Sequence, residues 1–178
     1  GGPVVPGTPE RLLQLFQPIR WVIEPQVQFD MRGYHVDGNP NNPHLLGNFS
    51  WPYAIREALQ LLEGYEQEKG FEYDWVVMRR YDVSMSNRIP LEELDPSCLY
   101  TVDTGLGFSF ALCDQVFIGG SKVIRQLADL WSYMHQSFRE RNQFNTERNS
   151  RDMFVARGVE LRHLPLREWE SYKIYRGG

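Results

Sequence analysis

Four consecutive residues, Trp75, Val76, Val77 and Met78, form a short unbroken apolar run that stops abruptly on Arg79, Arg80, Tyr81 and Asp82. A strand covered on both faces reads as such a run, whereas a strand with one wet face alternates. This run therefore calls for a sheet buried between helices. Ligands of open α/β sheets sit just beyond the carboxyl ends of such strands. The charged cluster that follows is either a site or a well-placed turn.

The rest of the chain supplies the helices. Thr8, Pro9 and Glu10 form a helix-start signal, and Leu12, Leu13, Leu15 and Phe16 an apolar stripe before Pro18. The segment "RWVIEP" reads as a strand ended by Pro25. From Gln26 to Gly47 no period is sustained, and a loop this long inside a compact domain usually carries function or moves. Ser50 then caps a predicted helix from Trp51 to Lys69, with Ile55, Ala58, Leu59, Leu62 and Tyr65 at helical spacing and Gly70 as its stop.

Downstream, "IPLEELDPS" reads as a short helical turn, "CLYTV" as a strand and "FSFALCDQVFIGG" as a buried strand. A helix from Ser121 to about Glu140 places Val123, Ile124, Leu127, Leu130, Trp131 and Met134 inward. A helix over Thr146 to Arg157, stopped by Gly158, and the strand "VELRHL" follow. Helices alternating with strands predict an α/β sheet largely covered by helices.

At 178 residues the chain has the length of one domain with a substantial core, and 42% hydrophobic content argues against disorder. The formal charge of -4 gives no long-range attraction for nucleic acid, and no apolar run approaches a membrane span. Its basic residues are mostly arginine, whose planar fork suits phosphate and carboxylate, so a local anion site remains compatible with the acidic total. Cys98 and Cys113 lie in apolar segments without metal-ligand spacing and read as reduced core thiols or as a bridge between neighbouring strands. Asn48-Phe49-Ser50 matches the N-glycosylation pattern, a short pattern that is common by chance.

Arg80 and Asp82 are two apart, so in extended geometry they point to one side: a guanidinium for phosphate beside a carboxylate for a divalent cation or a sugar hydroxyl. The alternative is a surface turn in which Asp82 bonds its own backbone. Asp114 interrupts an otherwise apolar run; an unpaired carboxylate there costs several kcal/mol, so it is paired, hydrogen-bonded or facing a cavity. Facing a cavity near a sugar hydroxyl, it is a candidate general base. His163 in "LRHLP" is a candidate for metal or phosphate, against a structural role at a strand end.

Together these segments resemble a family. "YDWVVMRRYDV" is similar to the segment of tyrosine, aspartate, apolar residues and spaced arginines before an aspartate found in small nucleotide-sugar-dependent glycosyltransferases of the GT-A type, which build surface polysaccharides. "WPYAIREALQLLEGYEQEKG" resembles the helix before that strand, and "CDQVFIGGSKVIRQLADLW" the strand and helix after it. "FNTERNSRDMFVARGVELRHLP" is similar to the closing helix, glycine and strand, with Thr146 and Glu147 where a proline–glutamate pair is common. Met78 stands in place of the family's first arginine and Tyr81 in place of a common proline.

The resemblance implies a GT-A-like, Rossmann-like fold with a mostly parallel central sheet flanked by helices. It also implies transfer of a sugar from a nucleotide-sugar donor to a glycan hydroxyl, assisted by Mn2+ or Mg2+. Arg80, Asp82 and Gln115 would hold the donor, Asp82 and His163 the metal, and Asp114 would act on the acceptor. The family's opening apolar strand has no counterpart after "GGPVVPG", so the expectation is a single domain over residues 1–178, either a piece of a longer polypeptide or a fold without that strand. The competing expectation is a non-catalytic α/β module for glycan or a protein partner, with Trp51, Tyr53 and Trp169 as stacking candidates.

Overall fold

The computed structural model describes residues 7–25, 27–80, 83–85, 89–102, 111–164 and 172–174. Two helices, α1 (Thr8–Phe16) and α2 (Leu45–Lys69), precede strands β1 (Trp75–Arg79) and β2 (Val83–Met85). A 3₁₀ turn (Leu91–Glu93), β3 (Leu99–Thr101) and β4 (Val116–Gly120) follow. Next come α3 (Ser121–Ile124), a 3₁₀ stretch (Arg125–Asp129), α4 (Leu130–Arg141), α5 (Thr146–Ala156), β5 (Leu161–His163) and β6 (Tyr172–Ile174).

The main sheet has the order β1-β4-β3-β5, and β2 pairs separately with β6. Strand β4 runs antiparallel to both β1 and β3, while β3 and β5 are parallel. The architecture is thus α/β, but the sheet is mixed and not mostly parallel as expected. The physical reason is the β3-to-β4 connection, which places no helix between the strands among the described residues. Parallel neighbours need a crossover; antiparallel neighbours do not.

Strands β3 and β4 are buried throughout as their apolar runs predict, but β1, expected to be covered on both faces, is not: it lies at an edge of the sheet, Val77 is 46% exposed, and Trp75, Val76 and Met78 are half-buried. Phe117 and Leu99 face a core shared with α2, α4 and α5, while Val116, Ile118 and Tyr100 face a second core with Cys98, Cys113, Val83 and Leu164. Neither cysteine is in a disulfide and both are buried, the reduced-thiol alternative. Gly120 ends β4 where the chain presses on Pro96: its N–H donates to the Pro96 carbonyl at 3.0 Å, and a Cβ there would lie 2.6 Å from the same oxygen. Of the six residues expected on the inner face of the Ser121 helix, Val123, Ile124, Leu127, Leu130 and Met134 are buried and Trp131 is half-buried.

Two local expectations fail. "RWVIEP" is not a strand: residues 21–25 have no ladder, and Trp21, Val22 and Ile23 are at least half exposed. Side chains hold this segment along α2 instead, through an Arg20–Glu68 ion pair, Arg20 over the Tyr65 ring and Tyr53 Oη donating to Glu24. Helix α2 also begins at Leu45, before Ser50, and carries Pro52 inside it. Packing outweighs the proline, because Leu45 and Phe49 in the added turn are both core residues. No described helix is long and apolar enough to cross a membrane.

Candidate functional site

The antiparallel pairing of β1 with β4 builds the site. Arg79 stands opposite Val116, so the next residue, Arg80, meets the segment just before β4, and its backbone N–H donates to the Gln115 carbonyl at 3.1 Å. This brings the Arg80 guanidinium within 3.7 Å of the Asp114 carboxylate. That separation is a charge contact, longer than a hydrogen bond. Three sequence candidates, Arg80, Asp114 and Gln115, are therefore neighbours at the carboxyl end of β1.

They line a cavity of about 870 Å³. Helix α2 turns its small residues Gly47, Ala54 and Ala58 toward this space, which keeps it open, and adds the Trp51 ring. The long loop forms another wall through Val36, Asp37 and His44. The first turn of α5 closes the far side with Asn145, Thr146 and Glu147.

Buried hydrogen bonds hold these walls in register. Thr101 Oγ1 donates to the Cys113 carbonyl at 3.0 Å, and Leu112 N–H donates to the Glu147 carbonyl at 3.1 Å. Asn48 Oδ1 accepts from both Thr146 N–H (2.5 Å) and Thr146 Oγ1 (2.6 Å), while its Nδ2 donates to the His44 carbonyl at 2.9 Å. Asn48 is 7% exposed and committed on both faces of its amide, so the glycosylation pattern it opens is a structural joint in the folded chain. Asn145 caps α5 by accepting from Arg148 N–H at 3.0 Å.

Glu147 is the residue that sequence reasoning did not single out as a candidate. Burial pushes its carboxyl above the usual glutamate range, the negative charge of Asp114 pushes the same way, and Arg80 opposes both. In sequence it is an acid in a first helical turn, where carboxylates are favoured by the helix dipole, and it stands at the glutamate of the resembled proline–glutamate pair with no role attached. Nothing local distinguishes it from that ordinary case. Gln115 carries a second signal: its Oε1 is buried and accepts no hydrogen bond among the described residues. Such an acceptor costs free energy unless a donor reaches it.

The remaining candidates lie elsewhere. Asp82, and with it Tyr81, falls outside the described residues, as does Trp169. His163 ends β5, paired with Thr101 of β3, and does not line the cavity. Two strand spacings, about 10 Å, separate β5 from β4. Tyr53 is engaged with Glu24 and does not line the cavity either. The described residues hold no group of three or more His, Cys, Asp or Glu side chains suited to a metal ion, so they do not by themselves form the expected cation site.

No family model, curated protein or solved structure matches this chain.

Proposed function

We propose that this domain transfers a sugar from a nucleotide-sugar donor to a hydroxyl of a glycan acceptor. The observation that carries the reading is the grouping of Arg80 with Asp114, Gln115 and Glu147 around one cavity at the carboxyl end of β1. Its volume lies in the range of small-molecule sites, and its composition suits this reaction. Arg80, with Arg79 beside it, meets the charge that develops on a departing diphosphate. Asp114 holds the Arg80 guanidinium in place. Gln115 Oε1 accepts from a sugar hydroxyl, and the Trp51 ring offers a face for stacking.

Asp82 would hold the Mn2+ or Mg2+ of this proposal, and a bound cation would add positive charge at the leaving diphosphate. The test is turnover of a panel of nucleotide sugars with Mn2+ present, read as release of nucleoside diphosphate. The proposal expects release from at least one donor, reduced a hundredfold or more in Arg80→Met. A protein that consumes none of them and is stabilised by none acts as a binding module instead.

A further inference from the structure

Among the described residues three carboxylates line the cavity; Asp37 is paired with Arg148 at 3.1 Å, and the surroundings of the other two, Asp114 and Glu147, differ. Asp114 has a guanidinium at 3.7 Å. Glu147 is pressed by burial toward its neutral form, with Asp114 reinforcing that pressure. When the environments of two acids in one site diverge in this way, the more weakly acidic one is suited to exchange a proton near neutral pH. The other, beside the Arg80 guanidinium, is suited to positioning.

Resting on the glycosyl-transfer reading, we propose that Glu147 receives the proton of the acceptor hydroxyl, while Asp114 serves as a positioning residue that fixes Arg80. In this step the acceptor O–H bond breaks and its proton passes to a Glu147 carboxylate oxygen. The freed oxygen forms a bond to the anomeric carbon of the donor. The bond from that carbon to the diphosphate oxygen breaks, and its electron pair leaves with the nucleoside diphosphate opposite Arg80. Glu147 then releases the proton to solvent. This is a single displacement, so the anomeric configuration inverts.

The structure prepares Glu147 for that role. Its carbonyl is tied to Leu112 and the preceding Thr146 is tied to Asn48, so the first turn of α5 cannot drift relative to the β4 end that carries Asp114. A base held this way contributes through orientation as well as through proton affinity. Among the described residues, the charged and titratable groups that line the cavity besides Glu147 are Arg79 and Arg80 from the β1 end, Asp114 before β4, and Asp37 and His44 from the loop. Helix α2 contributes only neutral side chains there. The unfilled Gln115 acceptor marks the same space as one that a hydroxyl-bearing ligand enters.

The experiment compares the full chain with Glu147→Gln and Asp114→Asn, measuring donor turnover across pH together with the Glu147 carboxyl titration by 13C NMR. In the wild type, kcat/KM rises with pH to a plateau set by Glu147. Glu147→Gln should lose that rise and about 10²- to 10⁴-fold in kcat, with donor KM within twofold. Asp114→Asn should keep the rise and raise donor KM. Glu147→Gln should also melt no lower than wild type at pH 7, which separates lost chemistry from lost folding.

A Glu147→Gln protein that retains the rate and the pH rise overturns the proton assignment and leaves glycosyl transfer standing. A wild type that turns over no donor overturns the reading beneath it. Independently of any activity, a Glu147 carboxyl that titrates in or below the ordinary glutamate range overturns the assignment.

Discussion

Replacing Asn48 by alanine tests the joint on which the cavity depends. The substitution removes the acceptor of two hydrogen bonds from Thr146, at 2.5 and 2.6 Å, and the donor to the His44 carbonyl. Thr146 is itself 6% exposed, so its N–H and hydroxyl would be stranded. Each stranded donor costs about 1–3 kcal/mol. Alanine's better helix propensity returns roughly 0.5 kcal/mol in α2, and water entering from the adjacent cavity relieves part of the rest. The net loss is therefore about 2–4 kcal/mol, against roughly 5–15 kcal/mol for a whole domain. For a chain of this size that lowers Tm by about 5–12 °C. Urea unfolding of Asn48→Ala, Thr146→Val and the double variant reads the coupling, expected at about 1–2 kcal/mol. A single variant within about 0.5 kcal/mol of wild type, or additive effects in the cycle, refutes the joint.

Further outcomes follow from other contacts. Gly120→Ala drives a Cβ into the Pro96 carbonyl, a stiff backbone neighbour, and should cost about 1–3 kcal/mol in urea unfolding; an unchanged midpoint contradicts the close approach. Because the folded-state pKa of Glu147 is raised, the stability it contributes is present below the unfolded glutamate pKa and lost as pH rises through the folded value. Glu147→Gln should therefore match wild type near pH 3.5 and exceed it at pH 7, and a gap of the opposite sign in denaturant midpoints removes burial as the dominant cause. Asp82→Asn should abolish metal-dependent hydrolysis of a nucleotide sugar, and wild-type rates in that variant contradict its assigned role.

Much of the frame was legible residue by residue. The Trp75–Met78 run declared a strand, though one at the sheet edge and not covered on both faces, and the ends of α2 at Lys69 and of α5 at Ala156 followed from the glycines at 70 and 158, both left-handed. Arg80, Asp114 and Gln115 were each visible as charge or polarity at the end of an apolar run. Strand direction was not visible, because buried strands read as apolar runs whichever way they point. Only the pairing register shows that β4 reverses and so sets Arg80 beside Gln115.

The start of α2 was hidden because Pro52 looks like a first-turn residue, while the burial of Leu45 and Phe49 that extends the helix is a tertiary fact. "RWVIEP" has the composition of a strand but is held along α2 by side-chain contacts, and composition cannot report that. Glu147 and Asn48 were obscured by ordinary explanations: a dipole-favoured acid in one case and a surface-modification pattern in the other. Their roles come from the contact between α2 and the start of α5, which joins residues 98 positions apart.

The central claim, that the cavity beyond β1 receives a nucleotide diphosphate through Arg80, is tested most directly by isothermal titration of nucleoside diphosphates into the wild type and Arg80→Met. Saturable binding of at least one of them, weakened tenfold or more by the substitution, is the predicted result. Binding of equal strength in both proteins, or none in either, contradicts it.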